Sequence, residues 1–131
     1  MAAHPDRRLL VDAMNVIGSR PDGWWRDRDG AARRLVDALA QLHAADGDAV
    51  TVVLDGRPVP GLAEGDHAGV AVRYARRRGP DAADDRIVEL LGDCADPRAW
   101  TVVTSDRALR ERSEALGAVV VGAGTLLARL P

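Results

Sequence analysis

The sequence contains no lysine: all 18 basic residues are arginine. That absence excludes a phosphate-binding P-loop, which needs a lysine, and any chemistry through a lysine Schiff base. It also argues against a phospho-accepting receiver domain, which combines clustered aspartates with a lysine. Phenylalanine is absent and aromatic residues make up only 3% of the chain. Cysteine is reduced to Cys94, which excludes an internal disulfide framework and a cysteine-based zinc site. No apolar run approaches the roughly 18 residues that a membrane span requires. The opening segment Met1 to Arg8 lacks the form of a signal peptide, so a cytoplasmic protein with no membrane partner is expected. Glutamate is scarce as well, since 16 of the 20 acids are aspartate. A net charge of -2 means that any nucleic-acid contact must come from a local basic patch.

What is present fits one domain over residues 1–131, large enough for one core. Arg8–Asp12 is a short apolar run ending in an acid, the pattern of a buried strand. Residues 18–30 form a polar loop, and 31–44 carry apolar side chains at helical spacing. Further strands are predicted at 49–54, 70–74, 100–104 and 118–121, with helices over 81–94, 107–116 and 125–130. A Gly/Pro-rich stretch lies between 56 and 65, and Gly122-Ala123-Gly124 reads as a turn. Apolar strands alternating with helices predict an α/β fold, a parallel sheet of about five strands covered on both faces.

In such a sheet, ligands bind beyond the carboxyl ends of the strands, where the strand order reverses. Asp12, Asp55 and Asp106 all stand at that edge, and Asp81, Asp84 and Asp85 open the helix after the third strand. Neighbouring parallel strands lie about 4.8 Å apart, so carboxylates there can share a cation. Without one they repel and raise one another's pKa. Magnesium or manganese suits oxygen ligands of this kind and metal-assisted phosphodiester cleavage. Each acid also has a purely structural reading. Asp81 has the form of an N-cap with Asp84 as its capping-box partner, Asp106 of a cap for the next helix, and Asp55-Gly56 of a turn. Asp12 has the weakest such alternative, because an acid ending a buried strand needs a partner. Asp84 shares the face of Ile87 and Leu91, which favours it over Asp85 as a direct ligand and leaves Asp85 to hold a water or a second ion.

Four segments in order carry a resemblance: Leu10-Val11-Asp12-Ala13-Met14-Asn15-Val16-Ile17-Gly18, Val52-Val53-Leu54-Asp55-Gly56, Ala83-Asp84-Asp85-Arg86-Ile87 and Val103-Thr104-Ser105-Asp106. From about Arg8 to Leu130 the chain resembles NYN domains, and among them the YacP-like branch of the PIN-like nuclease superfamily. The resemblance implies a three-layer α/β/α sandwich of PIN-like (Rossmann-like) type and a ribonuclease dependent on Mg2+ or Mn2+. It implies Asp12, Asp84 or Asp85, and Asp106 as metal ligands, with Asp55 as a further ligand or a supporting group behind them. Asn15 would orient a water or a phosphate. Some relatives carry one more acid a helical turn beyond the fourth-strand aspartate, where this chain has Arg110.

Arg73, Arg76, Arg77 and Arg78 precede the Asp81 helix and form a candidate clamp for an RNA backbone. A solvated loop neutralised by nearby aspartates is the competing reading. Trp24 and Trp25, among Arg20, Arg26 and Arg28, are candidates for stacking on unpaired bases or, alternatively, for capping the core. His4, His43 and His67 have no metal-ligand spacing, and Cys94 falls on an apolar helix face. The leading expectation is an endoribonuclease acting on single-stranded or flexible RNA; the alternative is a catalytically weak or silent RNA-binding regulator. A phosphatase of the haloacid dehalogenase type lacks its DxDxT motif here. No residue pattern speaks to a link with the translation machinery or to oligomeric state.

Overall fold

A computed structural model describes residues 8–131; residues 1–7, His4 among them, lie outside it. Six strands form one sheet: β1 (Arg8–Asp12), β2 (Ala49–Leu54), β3 (Gly65–His67), β4 (Val70–Tyr74), β5 (Trp100–Val103) and β6 (Val119–Val121), in the order β3-β4-β2-β1-β5-β6. All neighbours pair in parallel except β3, which runs antiparallel to β4. The helices are α1 (Ala13–Gly18), α2 (Arg28–Asp46), α3 (Ala82–Asp93), α4 (Arg107–Ala115) and α5 (Ala123–Leu127).

Side-chain alternation sorts the strands onto two faces. Leu9, Val11, Val52, Leu54, Val70, Val72 and Val103 face the larger core, closed by α1, α2 and α5. Leu10, Val53 and Val102 face the smaller one, closed by Ile87 and Leu91 of α3 and Leu109 of α4. This three-layer α/β/α arrangement follows from chain direction. The chain moves from β1 to β2 on one side of the sheet, then crosses back over β1 to reach β5. Right-handed crossovers therefore put α2 on one face and α3 and α4 on the other. The order reverses between β1 and β5. No helix among the described residues is long and apolar enough to cross a membrane.

The expectation of about five strands misses β3. It is built by a hairpin whose two turn residues, Ala68 and Gly69, both have positive φ (52° and 93°). At Gly69 a Cβ would lie 2.1 Å from the His43 ring, so only glycine fits there. Helix α1, left unassigned by the periodicity, is six residues long, and α2 starts three residues earlier than its apolar pattern because Asp27 caps it through the Gly30 N–H. Gly122-Ala123-Gly124 is not a free-standing turn but opens α5. Cys94 is only half-buried at the end of α3, where its thiol donates to the Leu91 carbonyl.

Candidate active site

The same alternation that sorts the core places the acids. Leu10 faces α3 and α4, so Asp12, two residues on, ends β1 on that face. Val102 does likewise for Thr104. The Thr104 hydroxyl donates to Asp12 Oδ2 at 2.9 Å and accepts the Asp106 N–H at 3.1 Å. One side chain thus joins the two strand ends that flank the reversal in strand order. Thr104 is fully buried and Asp12 is 5% exposed.

Burial pushes the Asp12 carboxyl up from 3.8 to about 6; the Thr104 hydroxyl and the Asn15 backbone N–H pull it down, and the charges of Asp84 and Asp106 push it further up. Asp84, in the first turn of α3, is also raised, chiefly by burial and then by Asp106 and Asp81, against a smaller pull from Arg112. Its carboxylate accepts no hydrogen bond from the described residues. Asp106 caps α4 through Oδ1, which accepts the Leu109 N–H at 2.9 Å. The structural reading of Asp106 therefore holds, and it leaves Oδ2 with no hydrogen-bond donor among the described residues.

The adjacent pair at 84 and 85 is divided. Asp85 lies between Arg77 (2.7 Å) and Arg112 (2.9 Å), and these two guanidinium groups hold its carboxyl below the usual range. It ties the β4–α3 loop to α4, while Asp84 faces the other acids. Asp55 adds nothing to the cluster: its carboxylate accepts from Arg28 at 2.8 Å and from the Arg57 N–H at 3.1 Å. The expected N-cap at Asp81 is not formed. Its φ is 62°, and its side chain makes no capping bond. Asn15 Oδ1 accepts the Ser105 N–H at 2.8 Å, and Ser105 Oγ accepts the Ala123 N–H, so Asn15 fixes the β5–α4 turn beside Asp106.

Of the arginine run, Arg76 pairs with Glu89 and Arg77 with Asp85, as the neutralised-loop reading expects. Arg73 and Arg78 have no carboxylate partner among the described residues. Trp24 packs against the larger core, whereas Trp25 is exposed. His43 and His67 bond backbone carbonyls. Sequence reasoning misses Thr104 and Arg112. A polar β-branched residue between buried valines and an acid is the available signal for Thr104; nothing local marks Arg112, whose partner is 27 residues away.

Among the described residues, no three His, Cys, Asp or Glu side chains close to metal-binding distance. The donor set nevertheless has the chemistry of a hard-cation site. Asp12, Asp84 and Asp106 offer carboxylate oxygens only, and two of them are raised by burial and mutual charge with no arginine bonded to either.

A model of the YacP-like NYN domain matches residues 9–131. The chain belongs to the YacP-like NYN family. That family lies within the PIN-like nucleases, and NYN nucleases are generally metal-dependent. The fold is similar to that of Rae1 (YacP) from Bacillus subtilis, with 28% identity and a TM-score of 0.72 over 92% of this chain and 71% of that one. A point mutant of the same Bacillus subtilis protein matches with 26% identity and a TM-score of 0.69, over 92% of this chain and 72% of that one. No curated protein matches this NYN chain by sequence.

Proposed function

We propose that this chain is a metal-dependent endoribonuclease that hydrolyses RNA phosphodiester bonds at the carboxyl edge of its sheet. The observation that carries the reading is Asp12: a buried carboxylate at the reversal in strand order, raised to about 6 and faced by two further acids. A protein seldom retains such a group unless something compensates its charge. Asp12, Asp84 and Asp106 would hold Mg2+ or Mn2+, which when bound supplies Lewis-acid polarisation of the phosphodiester. Thr104 keeps the Asp12 oxygens oriented, and Asn15 positions the turn that carries Asp106. Arg73 and Arg78, with no acid partner among the described residues, would take the RNA backbone, ahead of Arg76 and Arg77.

A catalytically silent RNA-binding regulator is the second reading, favoured by Arg110 on the first turn of α4 and by carboxylates that do not close into a cage. Cleavage of a single-stranded RNA decides between them. The enzyme reading expects cleavage with Mg2+ or Mn2+, none with EDTA, and binding without cleavage in Ca2+, whose loose coordination activates water poorly. Asp12→Asn, prepared in parallel, controls for contaminating nuclease. Cleavage that persists in EDTA, or equally in Asp12→Asn, removes the assignment.

A further inference from the structure

Three large hydrophobic side chains among the described residues are exposed, and only one is aromatic: Trp25, at 58%. It is held rigidly. Gly23 enters the turn at φ 77°, the Asp22 carboxylate accepts the Trp24 N–H at 3.2 Å, and residues 24–26 form a single 3-10 turn that runs into the Asp27 cap of α2. Trp24 is anchored in the core and stands edge-on to Trp25, with ring centres 6.1 Å apart and planes at 87°. The two acids of this turn, Asp22 and Asp27, are engaged by backbone amides. Arg26, by contrast, pairs with no carboxylate among the described residues, and its guanidinium lies 5.9 Å from the Trp25 ring centre.

The turn is also tied to the acid edge. Arg28 lies 6.0 Å from the Trp24 ring centre and bonds Asp55 just beyond the end of β2, the strand beside β1. A hollow lined by Met14, Arg28, Asp55 and Arg57 joins that pair to the first turn of α1, which begins directly after Asp12. An indole left in water forfeits much of its transfer free energy, and one with a guanidinium beside it suits a flat aromatic ring that carries a negative charge close by.

We infer that Trp25 and Arg26 form a platform on which an unpaired base of the RNA stacks while its phosphate meets the guanidinium. This rests on the nuclease reading above and adds what that reading lacks, a preference for single strands. Every base has a face to stack, so the platform selects strandedness rather than sequence. A base inside a duplex has both faces covered by its neighbours and cannot use it.

The test compares wild type, Trp25→Ala, Trp25→Phe and Arg26→Ala in EDTA against three probes of equal length: a single-stranded RNA, its duplex, and an abasic strand with the same phosphates. Thermal melting confirms folding, which the exposure of Trp25 leaves intact. Trp25→Ala is expected to weaken the single strand about tenfold, Trp25→Phe to retain most of the affinity, and the abasic strand to bind wild type and Trp25→Ala alike. Tryptophan emission should fall when wild type binds the single strand, and fall less in Trp25→Ala. Equal affinity of wild type and Trp25→Ala for the single strand overturns the inference and leaves the nuclease reading untouched. Equal losses on all three probes overturn it too. Failure of wild type to bind any of the probes overturns this inference, whereas the nuclease reading falls only if no cleavage is seen with Mg2+ or Mn2+.

Discussion

Asp12 is the residue at which structure and chemistry pull against each other. Burial pushes its carboxyl up from the ordinary 3.8 to about 6 in the folded protein, chiefly because folding strips it of water. Between these values the folded state holds the proton more tightly than the unfolded one, so stability falls as pH rises from about 4 to about 6 and then levels off. The gap corresponds to about 3 kcal/mol lost at neutral pH. Asp12→Asn keeps the shape and an oxygen for the Thr104 hydroxyl but removes the charge. Measured by urea unfolding in EDTA, the variant should exceed wild type by up to about 3 kcal/mol at about pH 8 and converge with it near pH 4. Manganese should raise the melting temperature of wild type and not of Asp12→Asn, because a ligand stabilises only the state that binds it. A variant less stable than wild type at high pH would mean that the Asp12 charge is already compensated within the fold.

At the scale of elements, Asp106 shows how a cap and a candidate ligand coexist in one side chain. Oδ1 closes the first turn of α4 on the Leu109 N–H, and Oδ2 is left over. The two roles separate by substitution. Asp106→Ala loses the cap and should cost about 1 kcal/mol, whereas Asp106→Asn keeps it and should match or exceed wild type in EDTA. Cleavage should vanish in both. Activity that survives in Asp106→Asn and fails only in Asp106→Ala would make the residue a cap alone. Elements with strong apolar patterns are legible in the amino-acid order itself: β2 and β4 fall at the predicted limits, and β1 ends on the predicted acid. What is not legible depends on contacts between distant segments. The Ala68-Gly69 turn carries no standard hairpin sequence, and its glycine is demanded by His43, 26 residues earlier. Asp81 has the composition of an N-cap, yet the β4–α3 loop arrives there in a left-handed conformation, and its side chain makes no capping bond. Helix periodicity separates Asp84 from Asp85 in the sequence, but that Arg77 and Arg112 tie the Asp85 carboxylate depends on segments brought together only in three dimensions.

At the scale of the whole molecule, the topology brings the first and fourth predicted strands side by side and leaves their terminal acids on one face of the sheet. The placement of the acids is readable from the sequence because strand ends and period-2 alternation determine it. The electrostatic surface is not, because pairing among arginines is set in three dimensions. With a net charge of -2, the protein depends on the few arginines that no acid neutralises to attract a polyanion. Arg76 and Arg77 already share Glu89 and Asp85, so they enter an RNA complex with part of their charge compensated. Arg73 and Arg78 do not. On a single strand, each phosphate contact made by an uncompensated arginine contributes about 0.7 to the slope of log affinity against log salt. Replacing Arg73 and Arg78 with alanine should therefore flatten the slope of RNA binding by about 1.4. The Arg76→Ala, Arg77→Ala pair should lower affinity, because it leaves Glu89 and Asp85 facing the RNA with less compensation, while changing the slope by much less. Titrations at a series of salt concentrations in EDTA distinguish the pairs. If the Arg76 and Arg77 variant flattens the slope as much as the other, the Arg77–Asp85 bridge opens on binding and delivers its arginine to the phosphate.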